Sequence, residues 1–260
     1  MYLLVKKKPV LESQSARVFA AVVAILLFSL HNLMGAADPE VLVILKKARS
    51  YVGTESVLDS VQSLKFKGTI TTANGDVGGI EINLRSPFQQ LQILSGNGVV
   101  QEFGLNDYDA WKKVYRSDNP DEYNLIPSNP GQLKRVRANT FENLKFFSSD
   151  TNYQRKLEYL GQEIISGESV KRVKVVYGSM YYIRNFKAST GQLILTEIET
   201  GEHIQEQGEI RVAGIKFPKT LISLIDGEEI HRINFDSMEV NPDLEDSLFV
   251  QPAFPGVRKK

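Results

Sequence analysis

The sequence contains no cysteine. That excludes a disulfide framework, a thiolate metal site and a lipidated cysteine. It has no excess of charge either. Its 31 Lys and Arg balance 31 Asp and Glu, and with no basic stripe nothing points to nucleic acid. Histidine is scarce: beyond residue 37 only His203 and His231 occur. Neither belongs to an HxxxH or HExxH pattern, so a zinc site lacks ligands, and both read as surface histidines beside charged neighbours. There is no GxSxG elbow, P-loop or GxGxxG helix start. The acidic pairs Glu228-Glu229 and Glu245-Asp246 lie beside turns and read as solvated. Gly78-Gly79 reads as a bend within a hairpin rather than a phosphate cradle. No catalytic residue, metal or cofactor is expected. A long apolar run is missing too. The longest, Val18 to Leu30, has 13 residues, short of the roughly 20 that cross a bilayer as a helix.

That run does belong to a recognisable segment. Lys6, Lys7, Lys8 and Arg17 precede it, and Gly35, Ala36 and Ala37 follow it. A basic start, a short apolar centre and small residues make a secretory signal peptide over residues 1–37, cleaved near Ala37. The alternative is an uncleaved N-terminal membrane anchor. Removing the segment leaves 27 basic and 30 acidic residues, a net charge of −3. That suits a soluble exported chain and gives no general attraction to anionic lipid.

What is abundant is alternation. Over Leu64–Phe103 three runs alternate apolar and polar residues: Leu64, Phe66, Ile70; Ile80, Ile82, Leu84; Leu91, Ile93. Asn74-Gly75-Asp76 and Gly96-Asn97-Gly98 supply residues that tolerate positive φ in tight turns. The stretch reads as antiparallel strands with one buried face, Asn83, Gln90 and Gln92 pointing the other way. Further strand-like runs follow at Arg155–Ile165, Lys171–Tyr177, Tyr181–Lys187, Leu193–Glu199, Gln207–Val212, Thr220–Ile225 and Glu229–Val240, punctuated by glycines. Ser117–Pro130, rich in Asp, Asn, Ser and Pro, reads as loop.

Three segments have helical spacing. Asp38-Pro39 caps and starts one carrying Val41, Ile44, Leu45, Ala48 and Val52 on one stripe, stopped at Gly53. Thr54 caps a short second helix with Val57, Leu58 and Val61 inward. A third runs over about 131–147 with Leu133, Val136, Phe141, Leu144 and Phe147 on one side. About ten strands and three helices, with each helix needing a surface for its stripe, make a mainly β protein with α. The economical architecture is one domain over 38–252: a curved antiparallel, incomplete β-barrel wrapped around a few helices, with 253–260 as a frayed tail.

Several phrases fit a known order: "GTESVLDSVQSLKFKGTI", "YDAW", "YLGQEIISGESVKRVKVVY", "TGQL", "GIKFP" and the closing "NPDLEDSLFVQP". Across about Asp38–Pro252 this succession resembles the outer-membrane lipoprotein-sorting (LolA-like) group of the lipoprotein-localisation superfamily. Relatives often carry Asp where this chain has Ala188, a turn detail. The resemblance implies a curved incomplete barrel closed by helices, with acyl chains or other hydrophobic ligands held between sheet and helices. The absence of Cys near Asp38 is unlike the membrane-anchored receptor branch and fits a soluble periplasmic carrier. No partner-contacting arginine of the family is carried over.

The expectation is an exported, non-enzymatic protein that shelters a lipid or lipoprotein acyl chain, as a monomer, with envelope membrane proteins as further contacts. Candidate cavity residues are Phe66, Ile70, Ile80, Ile82, Leu84, Leu91 and Ile93 of the opening sheet, and Val173, Val175, Ile183 and Leu193 of later strands. Trp111 is a cavity or rim candidate, with a core position as the rival. Each of these positions has the same rival, packing against the helices. An envelope sensor or scaffold module on the same fold is the alternative function. A hydrolase using His231 or Glu229 is a third.

Overall fold

The protein is described here by a computed structural model over residues 38–150 and 155–255. The expected signal peptide and the last residues of the expected tail lie outside the described residues. Helix α1 (Pro39–Val52) starts as its sequence predicts: the Asp38 side chain accepts from the Glu40 N–H at 2.9 Å and Pro39 takes the first helical position. A short helix α2 (Glu55–Asp59) follows. Helix α3 (Pro130–Lys145) opens with a capping box, in which Asn129 and Gln132 each accept the other's backbone N–H at 2.9 Å.

Fifteen strands make up the rest: β1 (Ser63–Thr72), β2 (Val77–Arg85), β3 (Gln89–Gly96), β4 (Val99–Asn106), β5 (Asp109–Arg116), β6 (Asn119–Pro127), β7 (Lys156–Ile165), β8 (Glu168–Tyr177), β9 (Met180–Lys187), β10 (Leu193–Ile198), β11 (Glu202–Gln207), β12 (Ile210–Val212), β13 (Ile215–Phe217), β14 (Thr220–Ile225) and β15 (Glu228–Val240). Thirteen form one sheet in the order β6-β5-β4-β3-β2-β1-β15-β14-β11-β10-β9-β8-β7, and β12-β13 is a separate hairpin. β6 and β7 are its two edges, so the barrel is incomplete, as the alternation and the resemblance led one to expect. Among the described residues no helix is long and apolar enough to cross a membrane.

Two local expectations are corrected. Ser117–Pro130 is not loop: β6 pairs with β5 across most of it, Trp111 opposite Pro127 and Tyr115 opposite Tyr123. β6 is an edge strand, where proline and polar residues are tolerated because one side of the ladder is free. The single run Gln207–Val212 is two strands, β11 ending and β12 beginning, broken at Gly208, whose φ is +66°. The start of the expected frayed tail is tied down, since Tyr123 Oη donates to the Ala253 carbonyl.

The two long helices cover opposite halves of the inner face. α1 packs Val41, Ile44, Leu45 and Ala48 on Val173, Val175, Tyr182 and Phe186 of β8 and β9. α3 sets Phe141 against Phe88, Leu105 and Ala110, and Thr140 Oγ1 donates to Gln90 Oε1 at 3.1 Å. The outer face of β3 and β5 is covered as well. Leu91 and Trp111 pack under Leu244 and Phe249, which follow β15, the latter on a 3-10 helix (Asp246–Phe249). Arg85 pins that segment, donating to the Leu244 carbonyl at 2.6 Å.

Candidate functional site

Between the C-terminal ends of α1 and α3 the sheet is left uncovered, and a cavity of about 340 Å³ opens there. Its floor is the middle of the sheet. Leu64 and Phe66 of β1 stand opposite Leu84 and Ile82 of β2. Phe235 of β15 and Leu221 of β14 continue the same face. The β12-β13 hairpin folds over as a roof: Phe217 meets Phe66 edge-on at 5.6 Å between ring centres, and Phe66 meets Phe235 at 5.4 Å.

The end of α3 forms a side wall. Phe146 and Phe147 both take left-handed backbone conformations, φ +45° and +62°, which cost a non-glycine residue strain. The consequence is that both rings line the cavity, Phe146 against Phe217 at 6.1 Å and Phe147 against Phe186 at 5.2 Å. Arg49 of α1 holds this turn by donating to the carbonyls of Lys145 and Phe146, at 2.7 and 3.2 Å.

Part of the lining is polar. Glu142 of α3 is buried and binds Arg155 at 2.7 Å and Arg184 of β9 at 2.6 Å, and Tyr177 Oη also donates to it. Burial opposes its ionisation, but Arg184 and Arg155 outweigh that and hold the carboxyl below its ordinary range. Glu206 of β11 differs. It is half-buried in the wall, and among the described residues its side chain has no ion pair or hydrogen bond. Burial pushes its carboxyl up to about 7, against a smaller downward pull from Arg184. At the rim Tyr51 Oη donates to Glu209 at 3.0 Å, and Lys216 Nζ reaches Glu209 at 3.2 Å.

The predicted residues divide by face. Phe66, Ile82, Leu84 and Leu193 line the cavity. Ile70 and Ile80 share that face on β1 and β2 but lie outside the cavity lining. Val173 and Val175 are fully buried against α1, the packing role that was their rival. Leu91, Ile93, Trp111 and Ile183 are corrected as cavity residues: they lie on the outer face, where Trp111 takes the core position that was its rival. Leu84 pairs with Gln90, and Asn83 with Leu91, so Gln90 and Gln92 point inward and Leu91 and Ile93 outward. Both faces of β3 are covered, so apolar alternation does not reveal which is inner. Trp111 lies on Gly104 of the outer face, its Cε2 only 2.1 Å from where a Cβ would stand. Ile183 pairs with Lys174 and Glu197, and inward-facing Arg184 and Tyr182 flank it.

The charged groups Arg184, Glu142 and Glu206 and the Phe146-Phe147 turn were not foreseen. Two phrases quoted from the sequence do reach the site, through other residues. In "TGQL", Gly191 (φ +84°) lets the turn approach the Lys47 carbonyl, 2.7 Å from a would-be Cβ, and so seats Gln192 and Leu193 in the cavity wall beside α1. In "GIKFP", Lys216, Phe217 and Pro218 all line the cavity.

No family model and no curated protein matches this sequence. Solved structures do match its fold. A DUF1329 family protein from Desulfovibrio piger superposes with TM-score 0.54 at 12% identity, over 82% of this chain and 98% of that one. A protein domain from Vibrio parahaemolyticus, described as outer-membrane lipoprotein-sorting, gives 0.52 at 8%, over 79% and 95%. A LolA superfamily protein from Nitrosomonas europaea gives 0.52 at 12%, over 81% and 97%. At such identities the likeness is one of fold: this chain has the LolA-like architecture.

Proposed function

We propose that the protein binds a hydrophobic ligand in the cavity between sheet and helices, and that it is an exported periplasmic carrier of lipid or lipoprotein acyl chains. The observation that carries this reading is the continuous apolar floor of Leu64, Phe66, Ile82, Leu84, Leu221 and Phe235 under an aromatic roof. The volume of about 340 Å³ falls at the small end of ligand pockets, about 300–1,000 Å³, and suits one chain rather than several. Burying about ten methylenes contributes about 8 kcal/mol before the costs of association. No covalent step is needed. The LolA-like fold supports the same reading, as does the sequence signature of a signal peptide over residues 1–37.

The test is mass spectrometry of organic extracts of the chain purified, without detergent, from the cell envelope fraction. The reading expects a stoichiometric acyl-chain species that is absent from an unrelated exported protein prepared in parallel. Repeated absence of any such species, together with failure to take up added lipid, contradicts it and leaves a scaffold role.

A further inference from the structure

The cavity is not uniformly apolar, and its charges do not cancel. Its lining holds three carboxylates, Glu142, Glu206 and Glu209, and two cations, Arg184 and Lys216. Two of the carboxylates are matched. Glu209 is bound by Lys216 and Tyr51. Glu142 is divided between Arg184 and Arg155, the latter outside the lining. These bonds, with the Phe147 ring 4.9 Å from its guanidinium, fix Arg184 in place and keep it from swinging to Glu206. Glu206 alone faces the cavity with nothing bound to its oxygens among the described residues. Its strand neighbour on the inner face is Ile204 and its cross-strand partner is Leu221, both apolar and both in the cavity wall.

The Glu206 carboxylate is half-buried among apolar side chains, so a cation entering the cavity meets there a charge that no side chain among the described residues pairs. We propose that the preferred ligand is an amphiphile carrying a protonated amine next to its apolar chain, the amine donating to Glu206 while the chain lies on Phe66, Ile82 and Leu221. This rests on the reading that the cavity binds apolar chains, and names the polar group of the ligand. The upward push on the Glu206 carboxyl agrees with it, because a cation at that point restores the ionised form.

The experiment compares three probes of equal chain length, dodecylamine, dodecanol and dodecanoate, by calorimetric titration below their micelle-forming concentrations. At about pH 8 the amine and an unpaired carboxylate are both charged. The expected result is that the full chain binds dodecylamine about tenfold or more tightly than either other probe. The preference shrinks as the pH is lowered below about 7, where Glu206 takes up a proton. In Glu206→Gln the ratio of amine to alcohol affinity falls to about one across this pH range. If dodecanol and dodecanoate bind and dodecylamine binds no more tightly, chain binding stands and the amine assignment is overturned. If the preference survives in Glu206→Gln, it arises elsewhere and the assignment to Glu206 is overturned. If none of the three binds, the cavity reading fails and this inference with it. The pH series on the unaltered chain keeps the test decisive even if Glu206→Gln folds poorly.

Discussion

Arg49, on the last turn of α1, donates to the backbone carbonyl of Lys145, the last residue of α3, at 2.7 Å. One guanidinium thus ties together the ends of two helices that lie 96 residues apart in sequence and flank the cavity. The bond satisfies a carbonyl that α3 cannot pair internally, and puts positive charge at the negative end of that helix. Arg49 reaches the Phe146 carbonyl as well, so it fixes the turn that swings Phe146 and Phe147 into the cavity.

Replacing Arg49 by Met should therefore cost about 1–3 kcal/mol, since one buried and one partly buried carbonyl lose their donor. Arg49→Lys should recover only part of it, because an ammonium cannot span both carbonyls and the Glu55 and Asp59 carboxylates that Arg49 also binds. Denaturant unfolding of the three proteins checks this. Hydrogen exchange should show the gain in opening concentrated at the ends of α1 and α3.

Glu142→Gln should be the more damaging change. It leaves Arg155 and Arg184 buried without their carboxylate, a situation that typically costs about 3–5 kcal/mol. The folded-state carboxyl titrates below its ordinary range. Its contribution is thus present above the unfolded value and is lost as pH falls through the folded one. Stability against pH should fall on the acid side in the native chain, and this component of the fall should be absent in Glu142→Gln.

Glu206 carries the opposite sign. Its folded carboxyl sits at about 7, above the unfolded value. Ionising it in the folded chain is unfavourable, so its contribution is best at low pH and is lost as pH rises toward and through about 7. Glu206→Gln should raise the midpoint of thermal unfolding at about pH 8 and leave it little changed at about pH 5. Melting curves without ligand at the two pH values check this.

Trp111 is the chain's only tryptophan and lies on the outer face, under Leu244 and Phe249. Its emission should hardly respond to a ligand in the cavity. Gly104→Val should move it instead, since the new side chain occupies the place of the indole. A red shift in emission and a loss of about 1–3 kcal/mol are expected.

The residues reveal the fold better than the site. The stripe of α1, the cap at Asp38 and the turn at Asn97-Gly98 are local signals, and local chemistry decides them. Face assignment is not local. Leu91 and Ile93 alternate as cleanly as Ile82 and Leu84 yet point the opposite way, because Leu244 and Phe249, more than 140 residues later, cover the outer side of β3. Arg184 and Glu206 were illegible for a related reason. Each is one charged residue in a strand, and only the register of β9, β10 and β11 brings both to the inner face with Glu142 between the arginines. The Phe146-Phe147 turn gave no sign in sequence, since neither residue favours a left-handed backbone.

The central claim is that an apolar chain occupies the space over Ile82. The most direct measurement is titration of an environment-sensitive fluorescent fatty acid into the native chain and into Ile82→Trp, whose indole fills part of that space. The account predicts saturable binding at one site in the native chain. It predicts affinity weaker by about tenfold or more in Ile82→Trp, with the unfolding midpoint retained. Equal affinity in the two proteins, with both folded, would place the chain elsewhere and contradict the account.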